Sequence, residues 1–321
     1  KQFDLPFTVV YDGPILKYPK LAPLKFGFSH ISQSCFTKND LKFIPPDKRA
    51  LIWTGIAYSL NNPWKKYLSP WGNDKSILLK NWNNRISLYK SIYKDINLNV
   101  DLLVLDIEAR HESSKQILSL RNNTTTPEKL KHYNDQNFIH TYFRDIDSLY
   151  LASFEIAKKV TPNSTKISSY GDVPITRTWY GINKPLRSDT LTFSNYSIVR
   201  PFIDSLDFLS TSSYYFKDDA RNLAYCLFQV ETNKEYSNKP IIQFVWLRYS
   251  DDIENTINNS LAEATAIFPF FSGASGLWLW EKSNFKSKLD DNTVSTYKSF
   301  VNGLYRISKY KFYFIGDHTL I

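Results

Sequence analysis

The chain has 321 residues, of which 42% are apolar and 22% charged, an ordinary balance for a globular protein with ample material for a core. Its formal net charge of +9 would attract a polyanion, although a basic, AT-rich proteome explains the lysine surplus equally well. No nucleic-acid-binding motif occurs and no apolar run reaches transmembrane length, so we expect neither nucleic acid nor a membrane span. Single α/β barrels reach this length, and we expect one domain over 1–321.

Eight short runs of apolar, β-branched or aromatic residues have the length and character of strands that are buried on both faces. In chain order they are Phe7–Tyr11, Lys25–Ser29, Ala50–Trp53, Leu102–Ile107, Lys166–Tyr170, Phe208–Ser213, Ile241–Trp246 and Gly276–Trp280. Helical patterns separate several of them, near Ser76–Ile96, over Asp145–Val160, from about Ile253 to Phe268, and near Val294–Ile307. This alternation predicts an α/β fold, a TIM-like (β/α) barrel of seven or eight parallel strands, regular or distorted.

Two carboxylates stand at the end of the fourth predicted strand. Asp106 and Glu108 are two positions apart, so both would point into the barrel mouth, where barrel enzymes carry their chemistry. Two acids this close cannot both ionise freely, and a carboxyl that stays neutral suits a general acid for a glycosidic bond. The alternative is an ordinary ion network with Arg110 and His111.

Aromatic residues with polar tips recur at the ends of the later strands. Phe, Trp and Tyr make up 16% of the chain, and core packing accounts for most of them. Their joint recurrence at strand ends predicts a pocket in which a Trp stacks a sugar ring and Tyr hydroxyls bind polar substituents. The residues predicted to bind substrate are Tyr170, Tyr214, Trp246, Trp280, and the Arg248 and Tyr249 that follow Trp246.

Five segments, in order between about Val100 and Glu281, resemble motifs of the animal and venom hyaluronidase family. VLDIE resembles the family's strand ending in D-F-E, and AKKVTPNSTKISSYGDVP resembles its helix and the strand with Trp-Gly-Tyr-Tyr. LDFLSTSSYYF, IIQFVWLRYSD and SGASGLWLWE resemble its S-x-Y-L, Y-W-Y-x-Y and G-A-x-G-x-x-x-W-G segments. The family's disulfide cysteines are not reproduced, and Ser168 replaces a Trp, as in a distant relative.

The resemblance implies a retaining, substrate-assisted mechanism, in which the acetamido oxygen of an N-acetylhexosamine attacks its own anomeric carbon. Glu108 takes the acid/base place and Asp106 the place that orients the acetamido group. Tyr170 and Tyr214 match the pocket tyrosines, and Trp280 matches the pocket tryptophan. The function expected is a secreted endo-β-N-acetylhexosaminidase whose partner is an acidic glycosaminoglycan, hyaluronan or chondroitin.

Two alternatives stay open. The chitinase family's D-x-x-D-x-D-x-E strand has partial counterparts in Asp101, Asp106 and Glu108, and its final Trp-Glu matches Trp280 and Glu281. A chitinase-like or endo-N-acetylglucosaminidase-like hydrolase on a neutral glycan is therefore the second hypothesis. A glycan-binding barrel without turnover is the third.

Metal and redox motifs are absent from the sequence. Cys35 and Cys226 form no C-x-x-C pair and the five His residues have no ligand spacing, so we expect no metal and no cofactor. The two cysteines fit either one disulfide or two buried thiols. We expect a monomer. A chain that begins at Lys1 and lacks Met is typical of a processed or engineered mature chain, and the five N-x-S/T sequons favour a secreted protein.

Overall fold

The fold is that of a computed structural model. It describes residues 2–14, 22–35, 43–54, 69–71, 80, 83–84, 86–87, 91, 99–107, 113–171, 203–216, 219, 221–282, 284–286 and 289–310. The helix predicted near Ser76–Ile96 lies largely outside these residues.

The described residues form nine β-strands and six α-helices. The strands are β1 (Thr8–Asp12), β2 (His30–Ser32), β3 (Arg49–Thr54), β4 (Leu102–Asp106), β5 (Lys166–Ser169), β6 (Ser212–Tyr215), β7 (Ile242–Tyr249), β8 (Asp252–Thr256) and β9 (Gly276–Trp280). The helices are α1 (Ser114–Ser119), α2 (Glu128–Lys131), α3 (Asp135–Val160), α4 (Arg221–Tyr236), α5 (Asn259–Phe271) and α6 (Asp291–Lys309).

Eight of the strands are parallel and form a curled sheet in the order β5-β4-β3-β2-β1-β9-β7-β6, and β8 pairs antiparallel with β7. The two ends of the sheet meet where Tyr170, after β5, forms a parallel bridge with Ser210, before β6. The Gly171 N–H also donates to the Ser210 carbonyl at 2.9 Å. The predicted TIM-like (β/α) barrel is therefore confirmed, in a distorted form with a short junction between β5 and β6.

Both faces of the central strands are buried, which explains their continuous apolar runs. On β4, Leu103 and Leu105 pack outward in a cluster that includes α3 residues. Leu102 and Val104 point inward, in a cluster with Trp278 of β9. Because side chains alternate along a strand, the next inward residue of β4 is Asp106.

The second predicted strand is displaced along the chain. Residues Ala22–Lys25 form a 3-10 turn, and β2 begins only at His30. Gly27 lies between them with a φ of 82°, and a Cβ there would collide with the Phe3 ring. This left-handed position turns the backbone, so the apolar run at Lys25–Ser29 does not continue as a strand.

Helix boundaries differ from the predictions at three places. Helix α3 begins ten residues earlier than predicted, capped by the Asn134 side chain, which accepts from the Asn137 N–H. The segment predicted as the start of a helix at Ile253 is strand β8, and α5 begins only after its cap, Asn258. Helix α4 was not predicted, because several side chains on its buried face are polar. They are Asn222, Gln229, Thr232 and Asn233.

Helices α5 and α6 approach each other closely at Gly303. A Cβ there would lie 2.5 Å from the Glu263 carbonyl oxygen and 2.8 Å from the Ala266 Cβ. Gly303→Ala should therefore lower the free energy of unfolding by about 1–3 kcal/mol, although alanine normally stabilises a helix. Asn302→Ala, at the exposed neighbouring position, is the control and should be neutral or stabilising. Urea denaturation followed by Trp fluorescence tests this, and equal midpoints for the two variants would contradict the close contact.

Candidate functional site

Four aromatic side chains meet at the carboxyl ends of the barrel strands. Tyr214 stacks on Trp280 with ring centroids 5.5 Å apart and planes 21° apart. Trp246 contacts both rings edge-on, at 5.1 Å from Trp280 and 5.7 Å from Tyr214. Tyr170 lies 6.1 Å from Tyr214. The structure thus brings together four of the predicted substrate-binding residues, Tyr170, Tyr214, Trp246 and Trp280, which we call the aromatic cluster.

The strand register explains this meeting. Trp246 and Trp280 are direct partners across the β7–β9 pair, and both follow two residues after a buried inward-facing aromatic ring. Those deeper rings, Phe244 and Trp278, stack on each other at 4.9 Å and 10°. The aromatic cluster therefore packs on two buried rings that fill the barrel interior beneath it. Of its four members, only Tyr214 and Trp280 have appreciable exposure.

Asp106 ends β4 on the inward face, next to the strand that carries Tyr170. Leu105 and Ser169 are partners in the β4–β5 pair, and the Tyr170 N–H donates to the Leu105 carbonyl at 2.9 Å. The next residues along the two strands, Asp106 and Tyr170, are thereby neighbours at the barrel mouth. Asp106 is partly buried.

Glu108 lies outside the described residues, as do Arg110 and His111. Its place beside Asp106 and its role as an acid stay predictions from the sequence. The alternative ion network with Arg110 and His111 stays a prediction for the same reason.

Glu281, which the sequence matched to the chitinase Trp-Glu but to which it assigned no role, is a buried carboxylate in contact with the aromatic cluster. Its Oε1 accepts from the Trp246 Nε1–H at 2.8 Å, and its Oε2 accepts from the Arg248 Nε–H at 3.0 Å. The Arg248 side chain is only 1% exposed and the Glu281 side chain 5%. One sequence signal could have indicated this role of Glu281. It is an acidic residue immediately after Trp280, at a position where the hyaluronidase motif has glycine.

Arg248 is held by partners on several elements. Besides Glu281, its guanidinium donates to the Glu254 carbonyl at 3.1 Å and to the Thr293 hydroxyl at 3.0 Å. The Phe285 ring covers it at 4.5 Å. The Arg248 guanidinium is therefore buried beside Glu281, and its N–H groups donate to protein atoms.

Tyr249 is not brought to the aromatic cluster. Along β7, Phe244 and Trp246 point inward, whereas Val245, Leu247 and Tyr249 pack outward in a cluster that includes α5 and α6 residues. The sequence prediction included Tyr249 because it closely follows Trp246, and it did not apply the alternation of side chains along the strand.

A second buried ion pair lies at the end of β1. Asp12, the last residue of β1, pairs with Trp280 of β9, and its carboxylate accepts from the Lys286 ammonium and from the Ser34 hydroxyl. The two charged side chains are 3% and 5% exposed. Burial is the largest single influence on Lys286 and lowers its pKa, but the charge attraction and hydrogen bond of Asp12, together with Cys35 and Glu281, outweigh it and raise the pKa above its ordinary value, so the ammonium stays charged. Neither residue was predicted.

The two cysteines are buried free thiols, which settles the alternative that the sequence left open. The Cys35 thiol donates to the Gly13 carbonyl at 3.4 Å, and the Cys226 thiol donates to Gln243 Oε1 at 3.2 Å. Burial raises the pKa of Cys35 to about 12 and that of Cys226 to about 11. Both thiols are therefore protonated, unreactive and structural near neutral pH.

Within the described residues, three or more His, Cys, Asp or Glu side chains nowhere gather in a way that could hold a metal ion. Among the described helices, none is both long and apolar enough to cross a membrane.

Comparisons with known proteins give matches among solved structures. No protein-family model and no curated protein sequence matches the chain. Crystalline bee venom hyaluronidase is similar, with a TM-score of 0.65 and 15% identity over 94% of this chain and 99% of that one. Its complex with a hyaluronic acid tetramer gives a TM-score of 0.62 and 14% identity over 92% and 96% of the two chains. A GH18 chitinase from Pseudoalteromonas aurantia gives a TM-score of 0.43 and 12% identity over 93% of this chain and 100% of that one.

The similarity to bee venom hyaluronidase covers nearly the whole of both chains. At 15% identity it establishes the fold, and it confirms the barrel that the sequence motifs predicted from the hyaluronidase resemblance.

Proposed function

We propose that this protein is a glycoside hydrolase that cleaves β-linked N-acetylhexosamine bonds at the mouth of the barrel. The observation that carries the proposal is the aromatic cluster, which stands beside Asp106 at the carboxyl ends of the strands. Barrel enzymes perform their chemistry at this end, and stacked Tyr and Trp rings suit the apolar face of a pyranose. The shared fold with bee venom hyaluronidase supports the same class of reaction.

The proposed mechanism is retaining and assisted by the substrate. The acetamido oxygen attacks the anomeric carbon while Glu108 donates a proton to the leaving glycosidic oxygen. Asp106 accepts from the acetamido N–H and stabilises the positive charge that develops on this group. Glu108, now ionised, then takes a proton from the water that opens the cyclic intermediate and restores the acetamido group. The second carboxylate is not the nucleophile, in contrast to the usual two-carboxylate enzymes.

The residues that we propose to line the sugar site are the four members of the aromatic cluster. Tyr214 and Trp280 offer the more exposed rings, and Trp246 supports both edge-on. The Tyr170 hydroxyl donates to the Ser212 hydroxyl at 3.0 Å, which fixes its ring beneath the site. Substrate contacts for Arg248 and Tyr249 stay sequence-based predictions that this geometry does not favour.

For the substrate we propose an acidic glycosaminoglycan, and for the location a secreted protein. The net charge of +9 and the hyaluronic acid tetramer bound to bee venom hyaluronidase support the acidic polymer. The venom source of that enzyme supports secretion.

One observation favours the second candidate, a hydrolase of a neutral N-acetylglucosamine polymer. Two cations stand close behind the described part of the mouth, and both are buried in ion pairs, Arg248 with Glu281 and Lys286 with Asp12. Their charges are thus neutralised by protein carboxylates and do not favour an acidic sugar.

The two candidates differ in their expected response to salt. If the substrate is acidic, the protein should depolymerise hyaluronan or chondroitin, and its KM should rise as NaCl increases from 20 to 300 mM, because salt screens exposed charges. If it is neutral, the protein should cleave chitotetraose with a KM that salt leaves unchanged. Reducing-end release with product analysis measures both activities. The absence of turnover on either substrate class, with binding retained, would favour the glycan-binding barrel.

A further inference from the structure

We infer that Glu281 is a positioning residue that fixes the orientation of Trp246 and, through it, the sugar-stacking surface of the aromatic cluster. The inference rests on the proposed function, because it assigns Glu281 to the same site. It adds a residue that has no substrate contact in the proposed mechanism.

The first support is that both oxygens of the Glu281 carboxylate accept hydrogen bonds from protein groups. Oε1 accepts from the Trp246 Nε1–H at 2.8 Å and from the Lys282 backbone N–H at 2.9 Å, and Oε2 accepts from Arg248 at 3.0 Å. The indole N–H is the one hydrogen-bond donor of the Trp side chain. Because this donor ends on a buried charged group, rotation of the indole would break a charge-assisted hydrogen bond.

The second support is the fixation of Glu281 itself by a rigid neighbour. Arg248 is anchored at the same time to β8 through the Glu254 carbonyl and to α6 through the Thr293 hydroxyl. The antiparallel strand β8 and the first turn of α6 therefore brace the carboxylate from behind. A buried carboxylate in this setting is stable only while the guanidinium is present, so the pair acts as a unit.

The third support is the position of Trp246 inside the aromatic cluster. Its ring touches Trp280 at 5.1 Å and Tyr214 at 5.7 Å, and these two offer the more exposed stacking surfaces. A Trp246 ring that can rotate would let both neighbours shift. Sugar binding would then have to order these rings, which costs free energy. Loss of the hydrogen bond between Glu281 and Trp246 should therefore raise the Kd and KM for the sugar more than it lowers kcat.

The test compares Trp246→Phe with Glu281→Gln and Glu281→Ala in the full chain. Phe keeps an aromatic ring but removes the N–H donor, and it leaves the Glu281–Arg248 pair in place. Gln keeps an acceptor for the indole, whereas Ala removes it. We expect Kd and KM for hyaluronan tetrasaccharide or chitotetraose to rise roughly tenfold in Trp246→Phe and Glu281→Ala, with kcat within about threefold of wild type. Glu281→Gln should lie closer to wild type than Glu281→Ala.

A spectroscopic readout follows the indole directly. In ¹⁵N–¹H spectra the Trp246 Nε1–H signal, assigned by its loss in Trp246→Phe, should be protected from solvent exchange in wild type and in Glu281→Gln. It should exchange rapidly in Glu281→Ala. If Glu281→Ala does not fold, Trp246→Phe still decides the question, because unchanged sugar affinity there would overturn the inference. An unprotected Trp246 signal in the wild type would overturn it as well.

The two proposals fail in distinguishable ways. If the wild type binds neither oligosaccharide while the Trp246 signal depends on Glu281 as expected, the proposed function is wrong and the positioning contact stands. If the wild type cleaves glycan and both Trp246→Phe and Glu281→Ala bind it with wild-type affinity, the function stands and the positioning role is overturned.

Discussion

Glu108→Gln should lower kcat by about 100- to 10,000-fold on whichever N-acetylhexosamine polymer the protein cleaves, with KM within about threefold of wild type. The amide cannot donate a proton to the leaving oxygen, but it has nearly the size and shape of the acid. Glu155→Gln, at an exposed position on α3, is the matched control and should keep full activity. Reducing-end assays at saturating substrate measure the difference.

Asp106→Asn separates the substrate-assisted mechanism from one that uses a carboxylate nucleophile. An oxazoline-type inhibitor, which imitates the cyclised acetamido group, should bind wild type and Glu108→Gln with similar Kd. It should bind Asp106→Asn more weakly, because its ring nitrogen, which donates an N–H when protonated, loses the charged acceptor that the Asp106 carboxylate provides. Wild-type activity in Glu108→Gln would remove Glu108 from the acid role. Unchanged inhibitor affinity in Asp106→Asn would remove Asp106 from the acetamido role.

Asp12→Leu should lower the free energy of unfolding by about 3–5 kcal/mol, because it leaves the Lys286 ammonium buried without its carboxylate. The double variant Asp12→Leu/Lys286→Met removes both charges and should recover most of this loss. Glu263→Gln is the control: it breaks an ion pair with Arg306 whose side chain is 65% exposed, and it should cost no more than about 1 kcal/mol.

Urea denaturation followed by Trp fluorescence compares these variants. A double variant as unstable as Asp12→Leu would show that the loss comes from shape or packing and not from the uncompensated charge. The position of Asp12 beside Trp280 adds a second expectation, that the single variant also weakens sugar binding.

The sequence predicted the strands with two buried faces well. The run Gly276–Trp280 coincides with β9, and Leu102–Ile107 exceeds β4 by one residue, because a central barrel strand must be apolar on both sides. Helix α4 escaped prediction because polar side chains such as Asn222 and Gln229 are buried on it, and amphipathic periodicity cannot reveal such a face. Strand β8 escaped because its residues are mostly exposed and charged or polar.

The candidate site also contains residues whose place the sequence could predict and residues whose place it could not. Trp246 and Trp280 could be predicted because the ends of parallel strands converge at one edge of a barrel. Lys286 could not, because its partner Asp12 is 274 positions away and no local pattern links them. The interior place of Arg248 depends on contacts with β8 and α6, which only the three-dimensional structure supplies.

The junction between β5 and β6 has a consequence for the geometry of the proposed sugar site. Serine hydroxyls provide much of the connection there: Ser168 donates to the Phe208 carbonyl at 2.7 Å, and Ser210 donates to Ser168 at 2.9 Å. Tyr170 and Tyr214 lie on opposite sides of this junction. Small side chains therefore share with a few backbone hydrogen bonds the task of joining the strands that carry the two rings. Exchange of one of these serines is therefore expected to change the spacing of the two rings, and with it the affinity of the proposed sugar site.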